Sequence, residues 1–234
     1  MEKNDPKFDG FAKDYDAALM RGVSVSGESK DFFARGRLLW LKRCLHRLSF
    51  APQRVLDYGC GTGSATPFLR EILGASAILG VDVSAQSLEV ARKTYRATGA
   101  EFKTIGDFQP DESFDLVFCN GVFHHIPLDA RAGCIDYIRR CLRPGGIFAL
   151  WENNPWNPGT QIVMARIPFD RDAIKVPPPT ARRLVENGGF EIISTTFQFV
   201  FPSALGFLRN LEAPLSHFPF GAQYQVLARR NDAP

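Results

Sequence analysis

Hydrophobic positions along the chain change period several times. Short apolar runs at 54–58, 77–82, 114–120 and 147–151 read as strands buried on both faces. Between them, segments at 65–73, 84–97 and 128–142 carry apolar residues at helical spacing, and Ser84 stands where a helix N-cap belongs. A weaker strand is predicted at 101–105, and Pro144-Gly145-Gly146 is a turn into the strand at 147–151. A helix at about 180–187 stops at Gly188-Gly189, and strands at 191–201 and 223–230 follow. One helix at 30–48 precedes the first strand. The alternation predicts an α/β fold with a largely parallel sheet. Two stretches stand outside it: 152–179, a loop with six prolines, and 202–220. Long connections of this kind usually carry function.

Composition narrows the function classes. Hydrophobic residues are 45% of 234, enough for a sizeable core and for one domain with a small elaboration. With 28 basic and 25 acidic residues the net charge is +3, which argues against wrapping duplex nucleic acid. The five cysteines include no C-x-x-C pair, so neither a disulfide framework nor a metal site is expected. The polar start of the chain has no apolar leader, and the longest apolar stretch, 197–208, is interrupted by Pro202 and Ser203 and too short to span a bilayer. A cytoplasmic location is expected.

The sharpest chemical signal is Val55-Leu56-Asp57-Tyr58-Gly59-Cys60-Gly61-Thr62-Gly63, a strand running into three alternating glycines and then a helix. Glycine lets backbone turn tightly beside a ligand, and the following helix presents free N–H groups. Nineteen residues beyond Gly63, Asp82 closes the second strand, where an acid can accept hydrogen bonds from ribose hydroxyls. A dinucleotide fingerprint wants Gly or Ala three positions after Gly61, where Ser64 stands instead, and Asp57 would repel a pyrophosphate. An acid there suits a ligand carrying an ammonium group and a sulfonium.

This arrangement resembles motif I of the class I S-adenosylmethionine-dependent methyltransferases, small-molecule type. Gly106-Asp107-Phe108, Phe114-Asp115-Leu116-Val117-Phe118-Cys119-Asn120 and Leu142-Arg143-Pro144-Gly145-Gly146 extend the resemblance over about 54–151. It implies a Rossmann-like seven-stranded sheet in the order 3-2-1-4-5-7-6, strand 7 antiparallel, with helices on both faces. It divides the chain into an N-terminal helical cap at 1–50 and a methyltransferase domain at 51–234, with substrate-side insertions at 152–179 and 202–220. It implies S-adenosylmethionine as donor and S-adenosylhomocysteine as product. Asp57, Gly59, Cys60 and Gly61 would hold the donor's amino-acid part, Asp82 and Val83 the ribose, Asp107 and Phe108 the adenine, and Asn120 and Gly121 the methionine end. Tyr15 would cover the donor and Arg37 would reach its carboxylate, unless Arg37 lies on a solvated helix face.

Methyl transfer to an alcohol, phenol or amine needs a proton acceptor; otherwise alignment is the main requirement. Ligands sit beyond the carboxyl ends of the strands in open α/β sheets. His124 and His125 after the fourth strand, and Glu152 at the mouth of the site after the fifth, are therefore the candidate catalytic residues. Asn154-Pro155-Trp156 echoes a motif of amine methyltransferases but follows the wrong strand. Aromatic and aliphatic residues crowd 197–224, which suits a lipophilic or aromatic acceptor. The helix at 30–48 has a basic face, which suits peripheral contact with an anionic membrane if its apolar stripe is free. The expected activity is methyl transfer to an O or N atom of a small organic acceptor. An RNA or protein methyltransferase, a non-catalytic donor-binding partner subunit, another reaction of the same donor and a nicotinamide dehydrogenase are the alternatives.

Overall fold

The apolar runs form one sheet in the computed structural model, which describes residues 22, 24–170 and 173–231. Its strands are β1 (Arg54–Tyr58), β2 (Ala77–Asp82), β3 (Glu101–Thr104), β4 (Phe114–Asn120), β5 (Leu142–Asn153), β6 (Phe190–Gln198) and β7 (Gln223–Arg230). Their order is β3-β2-β1-β4-β5-β7-β6, as expected. The first five are mutually parallel, and β7 runs antiparallel to both β5 and β6. The order, and the antiparallel β7, are those that the sequence resemblance implies.

Helices cover both faces. On one lie α1 (Lys30–Arg47) and α2 (Thr66–Leu73), whose Leu38, Leu41, Leu45, Leu69 and Ile72 pack against Leu116, Phe118, Ile147 and Trp151. On the other lie α4 (Arg131–Cys141) and α6 (Pro178–Asn187), with Ile135, Ile138 and Val185 against Phe148, Leu150 and Tyr224. α3 (Ala85–Thr94) closes the β2–β3 end through Leu88 and Ala91 on Phe102. Ser84 caps α3 by accepting the Ser87 N–H at 3.1 Å.

α1 begins at Ser29, whose hydroxyl accepts the Phe32 N–H. Its apolar stripe is buried on the sheet, and Trp40 donates from Nε1 to Thr196 Oγ1 at 2.9 Å. Arg35, Lys42, Arg43 and Arg47 face solvent. The basic face is thus a solvated face over an apolar stripe packed on the sheet. Among the described residues no helix is long and apolar enough to cross a bilayer. All five cysteines are buried thiols.

Three elements depart from the sequence expectations. β5 begins at Leu142, yet the pairing jumps from Phe114↔Leu142 to Leu116↔Ile147, so Pro144-Gly145-Gly146 forms a bulge within the strand. β6 ends at Gln198 rather than at 201, because Phe199 turns into the left-handed region at φ 64°. The proline-rich stretch contains a helix, α5 (Pro158–Arg166), capped by Asn157 Oδ1 on the Thr160 N–H at 2.9 Å with Pro158 in its first turn. A short α7 (Glu212–Leu215) follows a helical turn over Ser203–Leu211.

Candidate functional site

The Gly-rich turn leaves β1 at the carboxyl edge of the sheet. Gly59, Gly61 and Gly63 all have positive φ (71°, 52° and 80°). Gly59 also sits so close to Val122 that a Cβ would meet its Cγ2 at 2.3 Å, whereas a Cβ on Gly61 would enter open space. Asp82 holds the turn to β2: Oδ2 accepts the Gly61 N–H at 2.8 Å and Oδ1 the Ser84 N–H at 2.9 Å. Two backbone bonds exhaust only part of a carboxylate's accepting capacity. Val83, next to it, is half-buried against the main core.

Asp57 is buried at the end of β1. Burial pushes its carboxyl up, the charge of Asp82 pushes it further, and Arg37 partly offsets both, leaving it at about 7. Arg37 is itself buried, so it lies on the inner face of α1, and its Nη1 donates to Gln223 Oε1 at 2.8 Å. Cys60 is buried, and its thiol is held well above the usual range, largely by burial. Asn120 ends β4, and Gly121 turns away at φ 67° with its N–H on the Trp151 carbonyl.

At the β3 end, Asp107 is exposed and Oδ2 accepts the Thr104 hydroxyl at 2.6 Å. The Phe108 N–H, expected to meet an adenine nitrogen, donates to the Thr104 carbonyl at 3.2 Å. The Phe108 ring packs edge-on to Phe114 at 5.8 Å. Tyr15 lies outside the described residues.

A cavity of about 380 Å³ opens beside Asn120 and Arg37. Phe32, Phe33 and Phe199 form its aromatic wall, with ring centroids 5.0–6.0 Å apart. Gly36 makes room for this wall, since a Cβ there would meet Phe199 Cε1 at 2.6 Å. Asn153, Asn157 and Lys30 supply polar groups. Both insertions contribute, and they are tied together: Asn154 donates to the carbonyls of Pro219 and Gly221, Asn157 to that of Phe220, and Thr160 to that of Ala222. Asn154-Pro155-Trp156 is therefore a structural clamp, with Asn154 wholly buried.

The other candidates form a polar cluster on the opposite face of β5 from Asn153, since successive strand residues point to opposite faces. His124 and His125 lie on a helical turn at Phe123–His125. Glu152 does not stand at the mouth of the site. It is buried, with Oε1 accepting the Phe123 N–H at 2.8 Å and Oε2 2.6 Å from His124 Nδ1. Asp170, which sequence reasoning missed, completes the cluster: its Oδ1 is 3.5 Å from His124 Nε2 and 3.3 Å from His125 Nε2. Burial disfavours charge on His124, but the Glu152 and Asp170 carboxylates more than offset this and raise its pKa. His124 is buried and His125 half-buried. The turn Ile167–Asp170 joins the two regions, with Ile167 lining the cavity and Asp170 in the cluster.

Known proteins are similar to this chain in domain and in fold. Residues 55–146 match the family described as a methyltransferase domain. Trans-aconitate 2-methyltransferase from Rhizobium leguminosarum bv. trifolii is 36% identical over 98 residues, covering 42% of this chain and 38% of that protein. Its counterpart from Rhizobium etli is 40% identical over 100 residues, again 42% and 38%. The matches thus span well under half the length of these relatives. Among solved structures, an S-adenosylmethionine-dependent methyltransferase from Mesorhizobium loti superposes with a TM-score of 0.57 at 22% identity, covering 77% of this chain and 91% of that one.

The binding edge fits the donor of that family. A buried acid beside the turn can take an ammonium but not a pyrophosphate, Gly61 leaves room for close approach, and Asp82 ends β2 on the same edge of the sheet, where an acid can accept from ribose hydroxyls.

Proposed function

We infer from the match of residues 55–146 to a methyltransferase domain, together with the sheet and its Gly-rich edge, that this chain is an S-adenosylmethionine-dependent methyltransferase that transfers the donor's methyl group to an O or N atom of a small acceptor with an aromatic or lipophilic body. The observation that carries the reading is the aromatic cavity beside Asn120, at the end of the edge where the methionine half of the donor would lie. Asp57 would pair with the donor's ammonium, Arg37 with its carboxylate, the backbone at Gly59–Gly61 would flank its chain, and Asp82 and Val83 would hold the ribose. Asp107 would take the adenine amino group, with the Phe108 N–H shared between adenine and Thr104. Bound there, the donor supplies an electrophilic methyl on a cationic sulfonium.

The protein's own task is then to align the acceptor and exclude water, which contributes up to roughly 7–11 kcal/mol in well-oriented systems. The edge-to-face rings of Phe32, Phe33 and Phe199 make an apolar aromatic wall that suits a flat or lipophilic acceptor body. The relatives named for trans-aconitate make a carboxylate-bearing acceptor one candidate, and Lys30, at the cavity wall with Glu28, is the cavity cation that would meet it once Arg37 holds the donor. Of the three candidate proton acceptors, His124 and Glu152 are buried against one another, and His125 is the accessible one. All three stand behind β5 from Asn153, away from the cavity lining, so the contribution read for the cavity is alignment of the acceptor, with the cluster supporting the strand end that carries Asn153.

The test is methyl transfer from labelled S-adenosylmethionine into fractionated small molecules, with trans-aconitate and aromatic acids as defined acceptors. Label in a small organic product supports the reading, and label confined to RNA or protein overturns it.

A further inference from the structure

We propose that His124 Nε2, His125 Nε2 and Asp170 Oδ1 form a binding site for a divalent cation of the zinc type. The three atoms converge from two separate turns and lie within 4.8 Å of one another. Asp170 Oδ1 is 3.5 Å from one imidazole nitrogen and 3.3 Å from the other. A charge-assisted hydrogen bond from imidazolium to carboxylate runs at about 2.7–2.9 Å, so these separations are too long for one. They match instead the edge of a tetrahedron built on ligand bonds of about 2.0–2.1 Å, which is roughly 3.3–3.4 Å.

Asp170 gives a second, independent indication. The side chain is 6% exposed, and Oδ1 accepts no well-aligned hydrogen bond although it points into the cluster. A buried carboxylate oxygen in that condition is costly unless a cation meets it. Glu152 completes the pattern. Its Oε2, 2.6 Å from His124 Nδ1, keeps a proton on that nitrogen and turns the Nε2 lone pair toward Asp170. A carboxylate behind a ligating histidine is the usual means of fixing tautomer and ring orientation at a metal.

Charge and ligand type agree. With a cation in place of the His124 Nε2 proton, two neutral imidazoles and the Asp170 and Glu152 carboxylates leave two negative charges, which one divalent cation neutralises. Imidazole ligands select zinc, cobalt or iron over magnesium and calcium, which take oxygen. The site is also preformed. The Ile174 N–H donates to the His124 carbonyl at 2.8 Å, and Arg131 bridges the carbonyls of Ile126 and Ile174 at 3.0 Å each. His125, 17% exposed, is the side from which a cation enters. The sequence showed no ligand spacing because Asp170 comes from a distant loop, 45 residues after His125.

The inference goes beyond the methyl-transfer reading and is read without donor or acceptor. The full chain, stripped with chelator, is titrated with Co²⁺ while the visible d–d absorption is followed. One equivalent should develop an intense band that Zn²⁺ abolishes. Asp170→Asn should weaken Co²⁺ binding at least about 100-fold, and Glu152→Gln about 10–100-fold, the range for carboxylates behind metal ligands. His125→Ala serves if Asp170→Asn fails to fold. No band in the folded wild-type chain overturns the proposal, as does a band whose affinity is the same in the folded variants. Donor binding measured on the same samples keeps this result separate from the methyltransferase reading.

Discussion

Glu152 Oε2 lies 2.6 Å from His124 Nδ1, with both side chains buried. Removing one member of a buried charged pair leaves the other uncompensated, at about 3–5 kcal/mol. Glu152→Ala should destabilise the protein by that amount in a denaturant titration, because it also strips the acceptor from the Phe123 N–H. Glu152→Gln keeps that acceptor and should lose clearly less. Equal losses would mean that the charge contributes nothing.

Asp57 predicts how donor affinity follows pH. Its folded pKa of about 7 lies above the ordinary 3.8, so the folded protein holds a proton that the unfolded chain has released. An acid raised in this way contributes stability that is full below the unfolded pKa and is lost as pH rises through the folded one. In the free protein, stability should therefore decline between pH 3.8 and about 7. The donor's ammonium reverses the preference, since it favours the ionised carboxylate. Affinity for S-adenosylmethionine should rise by up to about tenfold per pH unit on approaching pH 7 from below. It should level off above about 7, once Asp57 is ionised, and fall where the donor's own amino group deprotonates, at about 8. Isothermal titration between pH 5.5 and 8 checks this, and Asp57→Asn should flatten the rise. A rise that survives in a folded Asp57→Asn protein places the titrating group elsewhere.

Asp82 has two duties that mutants can separate. It accepts the Gly61 and Ser84 N–H groups, and the ribose contact assigned to it comes on top of these. Asp82→Ala should weaken donor binding by roughly 1.5–3 kcal/mol, the range for hydrogen bonds to a charged group. It should also lower stability through the orphaned N–H groups. Asp82→Asn keeps one accepting oxygen and should recover part of both. Unchanged donor affinity in folded Asp82→Ala would remove the ribose role.

Most of the sheet was legible because buried parallel strands are unbroken apolar runs. β2, β4 and β7 have the bounds that their Val, Ile, Leu and Phe content dictates, and Gly59, Gly61 and Gly63 mark the binding turn through their need for positive φ. α5 was hidden because its apolar residues show little helical periodicity and the stretch around it is rich in proline. The legible signal was local, in Asn157-Pro158. Asp170 and the cavity wall were hidden for another reason. Each depends on contacts between segments far apart in sequence, as when Phe199 meets Phe33 or Asp170 meets His125. The buried position of Glu152 is likewise a consequence of strand phase, which places Asn153 in the cavity and Glu152 behind it.

Phe199 allows the cavity's role to be separated from its stability. Its φ of 64° is a conformation that costs a bulky residue about 1–2 kcal/mol, and the turn it makes ends β6 and carries the ring onto Gly36 and Phe33. The Ala222 N–H on the Phe199 carbonyl holds the turn closed. Replacing Phe199 by Ala removes the ring and keeps the strain. Replacing it by Gly removes both, at the expense of a more flexible unfolded chain. Phe199→Gly should therefore be more stable than Phe199→Ala by about 1 kcal/mol in chemical denaturation. Both should raise the acceptor KM alike, by about tenfold for the loss of one ring contact of about 1.5 kcal/mol, with donor affinity unchanged. If KM is unaffected in both variants, the acceptor binds outside this cavity. If Ala is as stable as Gly, the strain is not held at Phe199, and its ring is placed by packing alone.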